Sequence, residues 1–299
     1  MRAAFAALLA ATLAAILPVP AVAAEPLRVY AVSAPLADFA ARLGGDRVAA
    51  TFPVPPGRDP AFWRPSIALI AEFQSADLIL LNGAGFAAWT EKVSLPRART
   101  VDTSRGFADR YIRTEGVTHS HGPEGEHSHA ALAAETWLDF AQAAEQARAV
   151  AAALTRRAPD AESDVVARLA ALEADLAALD ARARALGAAL AGVRVIASHP
   201  RYQYFARAYG VEIASLDWDA GAAPTEAQWA EFDRLRGDAL RALMLWEAEP
   251  APEAAQALAA RGVAGAVFDP AAGGDPTGRG FVDRMRANLD RIEAALTAM

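Results

Sequence analysis

Apolar runs of five to seven residues recur along the first third of the chain: LRVYAV (27–32), VAATFPV (48–54), DLILL (77–81) and RTVDT (99–103). Short runs of this kind, rich in Val, Leu and Ile and bounded by turn residues, predict buried strands. Between them, PLADFAARLG and SIALIAEFQSA carry apolar residues three and four apart, the spacing of a helix with one buried face. The alternation predicts a mostly parallel sheet covered by helices. A second set appears much later, with VRVIAS (193–198), VEIASL (211–216), ALMLW (242–246) and VAGAVF (263–268), separated by the helical segments RYQYFARAYG and EAAQALAARG. The fold class expected is α/β, in two lobes, each with a roughly four-stranded, mostly parallel sheet flanked by helices.

From residue 136 to 190 the chain is built almost entirely of Ala, Leu, Arg, Glu and Asp, which favour helix. After Pro159 the apolar residues Val165, Val166, Leu169, Leu172, Leu176 and Leu179 keep a helical stripe, predicting one helix over about 161–189. About four heptads suit a stiff strut between lobes better than a dimerising arm, so a monomer is expected. The organisation read from these patterns is a leader at 1–24, an N-terminal lobe at 25–159, a linking helix at 160–190 and a C-terminal lobe at 191–299.

The leader follows from the opening MRAAFAALLAATLAAILPVPAVAAEPLRV, in which one arginine precedes a short apolar run, a proline break and small residues at Ala21, Ala23 and Ala24. That order is a secretory signal peptide, implying a periplasmic protein with no membrane span in the mature chain. The chain holds no cysteine, so disulfides and lipid attachment through an N-terminal cysteine are excluded. The formal charge is −7, and loss of Arg2 with the leader makes it −8, which argues against a nucleic-acid surface.

Three strands of the second set run into polar residues: VRVIAS into His199-Pro200, ALMLW into Glu247, and VAGAVF into Asp269-Pro270. In an open parallel sheet, ligands bind outside the carboxyl ends of the strands, so these three side chains are candidate divalent-metal ligands. Each is also compatible with an ordinary capping or turn role. Four of the five histidines, His119, His121, His127 and His129, fall in THSHGPEGEHSHA (118–130), an acidic, glycine-containing segment. Short histidine-rich tracts are metal-binding on composition, and ligation by neutral imidazole weakens below about pH 6.5.

Taken in order, PPGRDPAFWRP (55–65), ADLILLNGAGFAAW (76–89), the histidine segment followed by TWLDF (136–140), the long helix, SHPRYQYFARAYGVE (198–212) and VFDP (267–270) resemble the periplasmic solute-binding proteins of zinc and manganese ABC transporters. The resemblance covers essentially the whole mature chain. It implies two lobes on a rigid backbone helix, Zn2+ (or Mn2+) as the bound metal, and an inner-membrane ABC permease with its ATPase as partners. It also implies four ligand positions. The first lies in a family stretch Asp-Pro-His-x-Tyr-Glu-Pro, which here reads Asp59-Pro60-Ala61-Phe62-Trp63-Arg64-Pro65 and lacks the histidine. The second corresponds to Glu135, where the family has histidine, and the third and fourth to His199 and Asp269. Such a set is one ligand short, to be completed by water, Glu247 or, as preferred here, a loop histidine such as His129.

The expected function is therefore capture of a divalent metal, zinc first, without enzymatic chemistry. Two alternatives accompany it. The aromatic residues Phe62, Trp63, Trp137, Trp218 and Trp246 could line a cleft for a metal chelate or organic ligand, against their ordinary role as core. A metal-dependent hydrolase would use the open ligand position, but His-Glu-x-x-His, Gly-x-Ser-x-Gly and P-loop motifs are all absent.

Overall fold

The computed structural model describes residues 25–114, 118–120, 126–128 and 132–299, with the two three-residue stretches described as backbone. The leader at 1–24, His121 and His129 lie outside the described residues.

All eight expected strands form. The first sheet holds β1 (Leu27–Ala31), β2 (Val48–Thr51), β3 (Leu78–Leu81) and β4 (Thr100–Asp102), all parallel, in the order β2-β1-β3-β4. A short antiparallel pair follows, β5 (Thr118–Ser120) with β6 (Glu126–Ser128), whose register sets His119 opposite His127. The second sheet holds β7 (Arg194–Ala197), β8 (Ile213–Ser215), β9 (Ala242–Trp246) and β10 (Ala264–Val267), again all parallel, in the order β10-β9-β7-β8. Counting each sheet's strands from its own first, both orders are second, first, third, fourth. One topology is used twice, and each sheet has its switch point between its first and third strands.

Helices α1 (Ala34–Gly44) and α2 (Ile67–Ser75) serve the first sheet, and α3 (Phe140–Arg157) leads to α4 (Glu162–Ala189). The second half adds α5 (Gln203–Tyr209), α6 (Glu226–Arg236), α7 (Pro252–Ala260) and the closing α8 (Phe281–Thr297). The TWLDF stretch has a local reason. Asp139 caps α3, its Oδ1 accepting from the N–H groups of Ala141 and Gln142.

The linking helix spans 28 residues as expected, starting after a 3-10 turn at Pro159–Ala161, with Glu162 and Asp164 in its first turn where the helix dipole favours acid. Val165, Leu172, Leu176, Leu179, Ala183 and Leu186 make its buried face, against α3, α8, α1 and α5. The stripe is thus used within the chain. Val166 departs from it and is 56% exposed, because a step of one residue turns the helix by about 100° away from Val165.

A continuous buried cluster joins Val29 and Ile79 of the first sheet, Leu172 and Leu176 of α4, and Val195 and Leu243 of the second sheet. The outer face of the second sheet makes another, with Trp218, Phe232, Met244 and Trp246. Trp137, Trp218 and Trp246 are at most 1% exposed, so a ligand-lining role for these three is corrected to core. Phe62 and Trp63 instead border a separate cavity of about 220 Å3 with Trp89 and Ile70.

Candidate metal-binding cleft

The switch point of the second sheet lies between β7 and β9, so the residues that follow them emerge side by side. These are Ser198-His199 and Glu247. The Glu247 N–H donates to Ser198 Oγ at 3.2 Å, fixing the two strand ends to each other. The His199 ring is buried, with Nδ1 3.0 Å from Glu247 Oε1 and Nε2 3.2 Å from Asp217 Oδ1. Both ring nitrogens therefore face carboxylates.

The first lobe contributes Glu135 and Asp59. Glu135 is held through its neighbours: Asn82, at the end of β3, donates from Nδ2 to the Ala134 carbonyl at 2.9 Å and accepts from the Thr136 hydroxyl at 3.2 Å. Gln146 of α3 donates to Asn82 Oδ1 at 2.9 Å and to Thr103 Oγ1 at 3.0 Å, closing a buried network beneath the carboxylate. Asp59 turns its own loop, Oδ1 accepting from the Ala61 N–H at 2.9 Å while its carbonyl accepts from Trp63 N–H at 2.9 Å. Ala61, the position without the family histidine, packs against the core.

Between these groups sits Arg201. Its Nη1 donates to Glu135 Oε1 at 2.9 Å, its Nε to Glu247 Oε2 at 2.9 Å, and its Nη2 to Asp59 Oδ2. One guanidinium, its side chain 13% exposed, thereby bridges two carboxylates from the first lobe and one from the second. Burial opposes the Arg201 charge, but Asp59, Glu135 and Glu247 outweigh it and raise its pKa well above the ordinary value. The carboxylates do not share the benefit equally. Burial also works against ionised Glu247, yet the hydrogen bond from His199 and the Arg201 charge prevail, and its pKa is lowered to about 2. At Glu135 burial prevails over Arg201, with Asp59 adding repulsion, so its pKa is raised.

Asp269 follows β10 but turns to α8. Arg284 donates to Asp269 Oδ2 from Nε at 3.0 Å and from Nη2 at 2.6 Å, and the Ala271 N–H donates to Oδ1 at 2.8 Å. Asn288 holds its backbone, donating to the Asp269 carbonyl at 2.7 Å. Ala271 is fully buried with φ at +62°, a left-handed turn that aims its N–H at that carboxylate.

Of the residues singled out in the sequence, His199 and Glu247 are in contact, and Glu135 joins them through Arg201 rather than directly. Asp269 is engaged by Arg284. Among the described residues no group of three or more His, Asp or Glu side chains is gathered closely enough to hold a metal ion. Arg201, Asp59 and Asp217 were missed by sequence reasoning. Arg201 lies two residues beyond a strand-end histidine, but a search for metal donors passes over a cation.

Beside Arg201 opens a cavity of about 660 Å3, bordered by Asp59 and Pro60 from the first lobe and by Glu247, Asp269, Asp275 and Arg284 from the second. Two α/β lobes of one topology, meeting at charged strand ends on either side of a cleft and spanned by one long helix, define the class of two-lobed solute-binding proteins. Within it, the family model for zinc-uptake complex component A, periplasmic, matches residues 29–295, and the chain belongs to that family.

Relatives include the metal ABC transporter substrate-binding lipoprotein FimA of Streptococcus parasanguinis, 27% identical over 203 residues, covering 66% of this chain. The manganese ABC transporter substrate-binding lipoprotein PsaA of Streptococcus pneumoniae is also 27% identical, over 205 residues and 65% of this chain. The alignment spans 63% of the length of each of these relatives. Among solved structures, the metal-dependent lipoprotein YcdH of Bacillus subtilis superposes with a TM-score of 0.75 at 20% identity, covering 90% of this chain and 98% of its own. The Zn(II)-bound ZnuA-like domain of Streptococcus pneumoniae AdcA gives 0.74 at 20% identity, covering 91% and 99%. No helix among the described residues is long and apolar enough to cross a membrane.

Proposed function

We propose that this chain is the solute-binding component of a metal ABC transporter, which captures a divalent cation, zinc before manganese, and hands it to an inner-membrane permease and its ATPase. The observation that carries this reading is the convergence of Asp59, Glu135, His199 and Glu247 from both lobes on one cleft, around a positive charge. The same cargo class is supported by the manganese and iron ABC transporter substrate-binding lipoproteins among the relatives and by the Zn(II)-bound AdcA domain. The work of the protein is then coordination and release, with no bond broken in the cargo, and its place is the periplasm.

The histidine segment completes the reading. His119, His121, His127 and His129 offer the nitrogen donors zinc prefers, and the backbone register of β5 and β6 already opposes His119 to His127. We assign a histidine of this segment to the principal zinc site beside the residues of the cleft, a set that the resemblance leaves one ligand short at Ala61. The test is a competitive zinc titration of the cleaved, metal-stripped protein beside a variant lacking residues 118–130. Tight binding in the first and its loss in the second is expected. Equal affinity in both would move the site wholly into the cleft, and tight binding in neither would overturn zinc as cargo.

A second reading, a metal chelate or organic anion as cargo, is favoured by one observation. The 660 Å3 cavity falls within the range of small-molecule sites and carries Arg58, Arg201, Arg279, Arg284 and Arg291 on its walls. Quenching of tryptophan fluorescence by chelated but not by free metal is the result that would replace the first reading with this one.

A further inference from the structure

Arg201 stands where its sequence neighbours cannot yield. Its own N–H donates to the His199 carbonyl at 2.9 Å, and the adjacent Tyr202 hydroxyl donates to the Phe268 carbonyl at 2.7 Å. The backbone on both sides of the guanidinium is therefore pinned, and only the side chain can leave. It has somewhere to go, since Arg201 itself lines the large cavity that continues past Glu247. Its three carboxylate partners come from both lobes, separated from it by 142, 66 and 46 residues.

Resting on the reading of the chain as a metal-capture protein, we infer that Arg201 is the selectivity element of the cleft: a tethered cation that holds the seat between Asp59, Glu135 and Glu247 and that a metal must displace to use them. The physical case is one of competition between charges. Three carboxylates repel one another when bare, so an empty cleft without Arg201 would be strained toward opening or protonation. With Arg201 in place the carboxylates are partly neutralised, and the two lobes are joined by one group. An incoming divalent ion brings twice the charge but must expel a buried, thrice hydrogen-bonded guanidinium, and separating a buried ion from its partners is costly. Weakly coordinating divalent ions are thereby refused. Metals high in the order of divalent affinity gain most, which places zinc above manganese for a reason other than donor type.

The experiment compares Mn2+ and Zn2+ binding by the full-length mature chain, in the wild type, Arg201→Met and Arg201→Met combined with Glu135→Gln and Glu247→Gln. Free manganese is read by its spin-resonance signal and zinc by competition with a chromophoric chelator. Arg201→Met is expected to bind Mn2+ at least about tenfold more tightly than the wild type, and the added glutamines to abolish that gain. A wild type that binds metal with no gain in Arg201→Met overturns the role of Arg201 and leaves the capture function standing. A wild type that binds nothing beside an Arg201→Met that binds keeps the role of Arg201 and overturns metal as the native cargo. Binding by neither overturns both.

A wild-type measurement decides the matter if Arg201→Met does not fold. Labelling with phenylglyoxal, located by mass spectrometry, is expected to spare Arg201 in the metal-free chain and to modify it once zinc reaches the cleft. Tight zinc binding with Arg201 still protected, or equal labelling with and without metal, overturns the displacement.

Discussion

At the scale of single residues, the cleft holds two glutamates whose environments push them apart. Glu247 has its pKa lowered from 4.5 to about 2, so it contributes stability that is fully present above about pH 4.5 and is lost as pH falls through about 2. The contribution is on the order of 3 kcal/mol. Glu135 has its pKa raised by burial, and the sign reverses: its ionisation in the folded state removes stability as pH rises. The two glutamines therefore differ in effect. Glu247→Gln should destabilise the protein at neutral pH by more than Glu135→Gln, since a Gln at 135 can still accept from Arg201 without the cost of a buried charge. Urea unfolding at pH 7 measures the difference. Repeating it down to pH 2.5 should show the wild type losing stability faster than Glu247→Gln, and parallel curves would mean that His199 and Arg201 do not hold that carboxylate ionised.

At the scale of elements, the junction of α4 with α5 rests on Gly187. A Cβ there would lie 2.1 Å from the Tyr209 carbonyl oxygen, a backbone atom that cannot rotate aside. Ala normally gains about 1 kcal/mol over Gly within a helix. Here the clash should exceed that gain, and Gly187→Ala should lower stability and displace α5, which carries the chain onward from Arg201. On the buried face of the same helix, Leu176→Ala should cost about 2–5 kcal/mol, whereas Val166→Ala, on the exposed face, should stay within about 0.5 kcal/mol. Thermal melts of the three variants check the ranking.

The same helix shows what the sequence could tell. Its length and buried stripe were legible from the spacing of Val165, Leu172, Leu176 and Leu179, as were all eight strands, because periodicity reports which face is buried. That His199 and Glu247 lie side by side was legible as well, since strand ends in a parallel sheet share one edge. Arg201 was not. Its three partners are scattered along the chain, and only the meeting of the lobes brings them together. The engagement of Asp269 by Arg284 was hidden for a like reason: it depends on the angle at which α8 returns to β10, which no local pattern encodes.

At the scale of the whole molecule, the two lobes are not independent bodies. Their sheets and the linking helix share the buried cluster of Val29, Leu176 and Leu243, and hydrogen bonds cross between them, Trp137 Nε1 donating to the Pro270 carbonyl at 2.7 Å and Phe140 N–H to the Tyr209 hydroxyl at 3.0 Å. Phe39 of α1 meets Phe281 of α8 edge to face, with centroids 5.4 Å apart. A chain whose lobes fold separately unfolds in two steps, while one with a shared core loses both lobes together. The mature chain should therefore show one unfolding transition. Trp89 lies among residues of the first lobe and Trp218 in the outer cluster of the second, so variants retaining only one or the other as fluorophore report on each lobe separately. Coincident midpoints in urea are the expected result. A gap between the two midpoints, with an intermediate retaining half the helical signal, would mean that the linking helix joins two folding units, and that the cleft can open widely without unfolding either. Coincident midpoints would instead confine any opening of the cleft to the strand ends and the side chains beyond them, where the Arg201 bridge joins the two lobes.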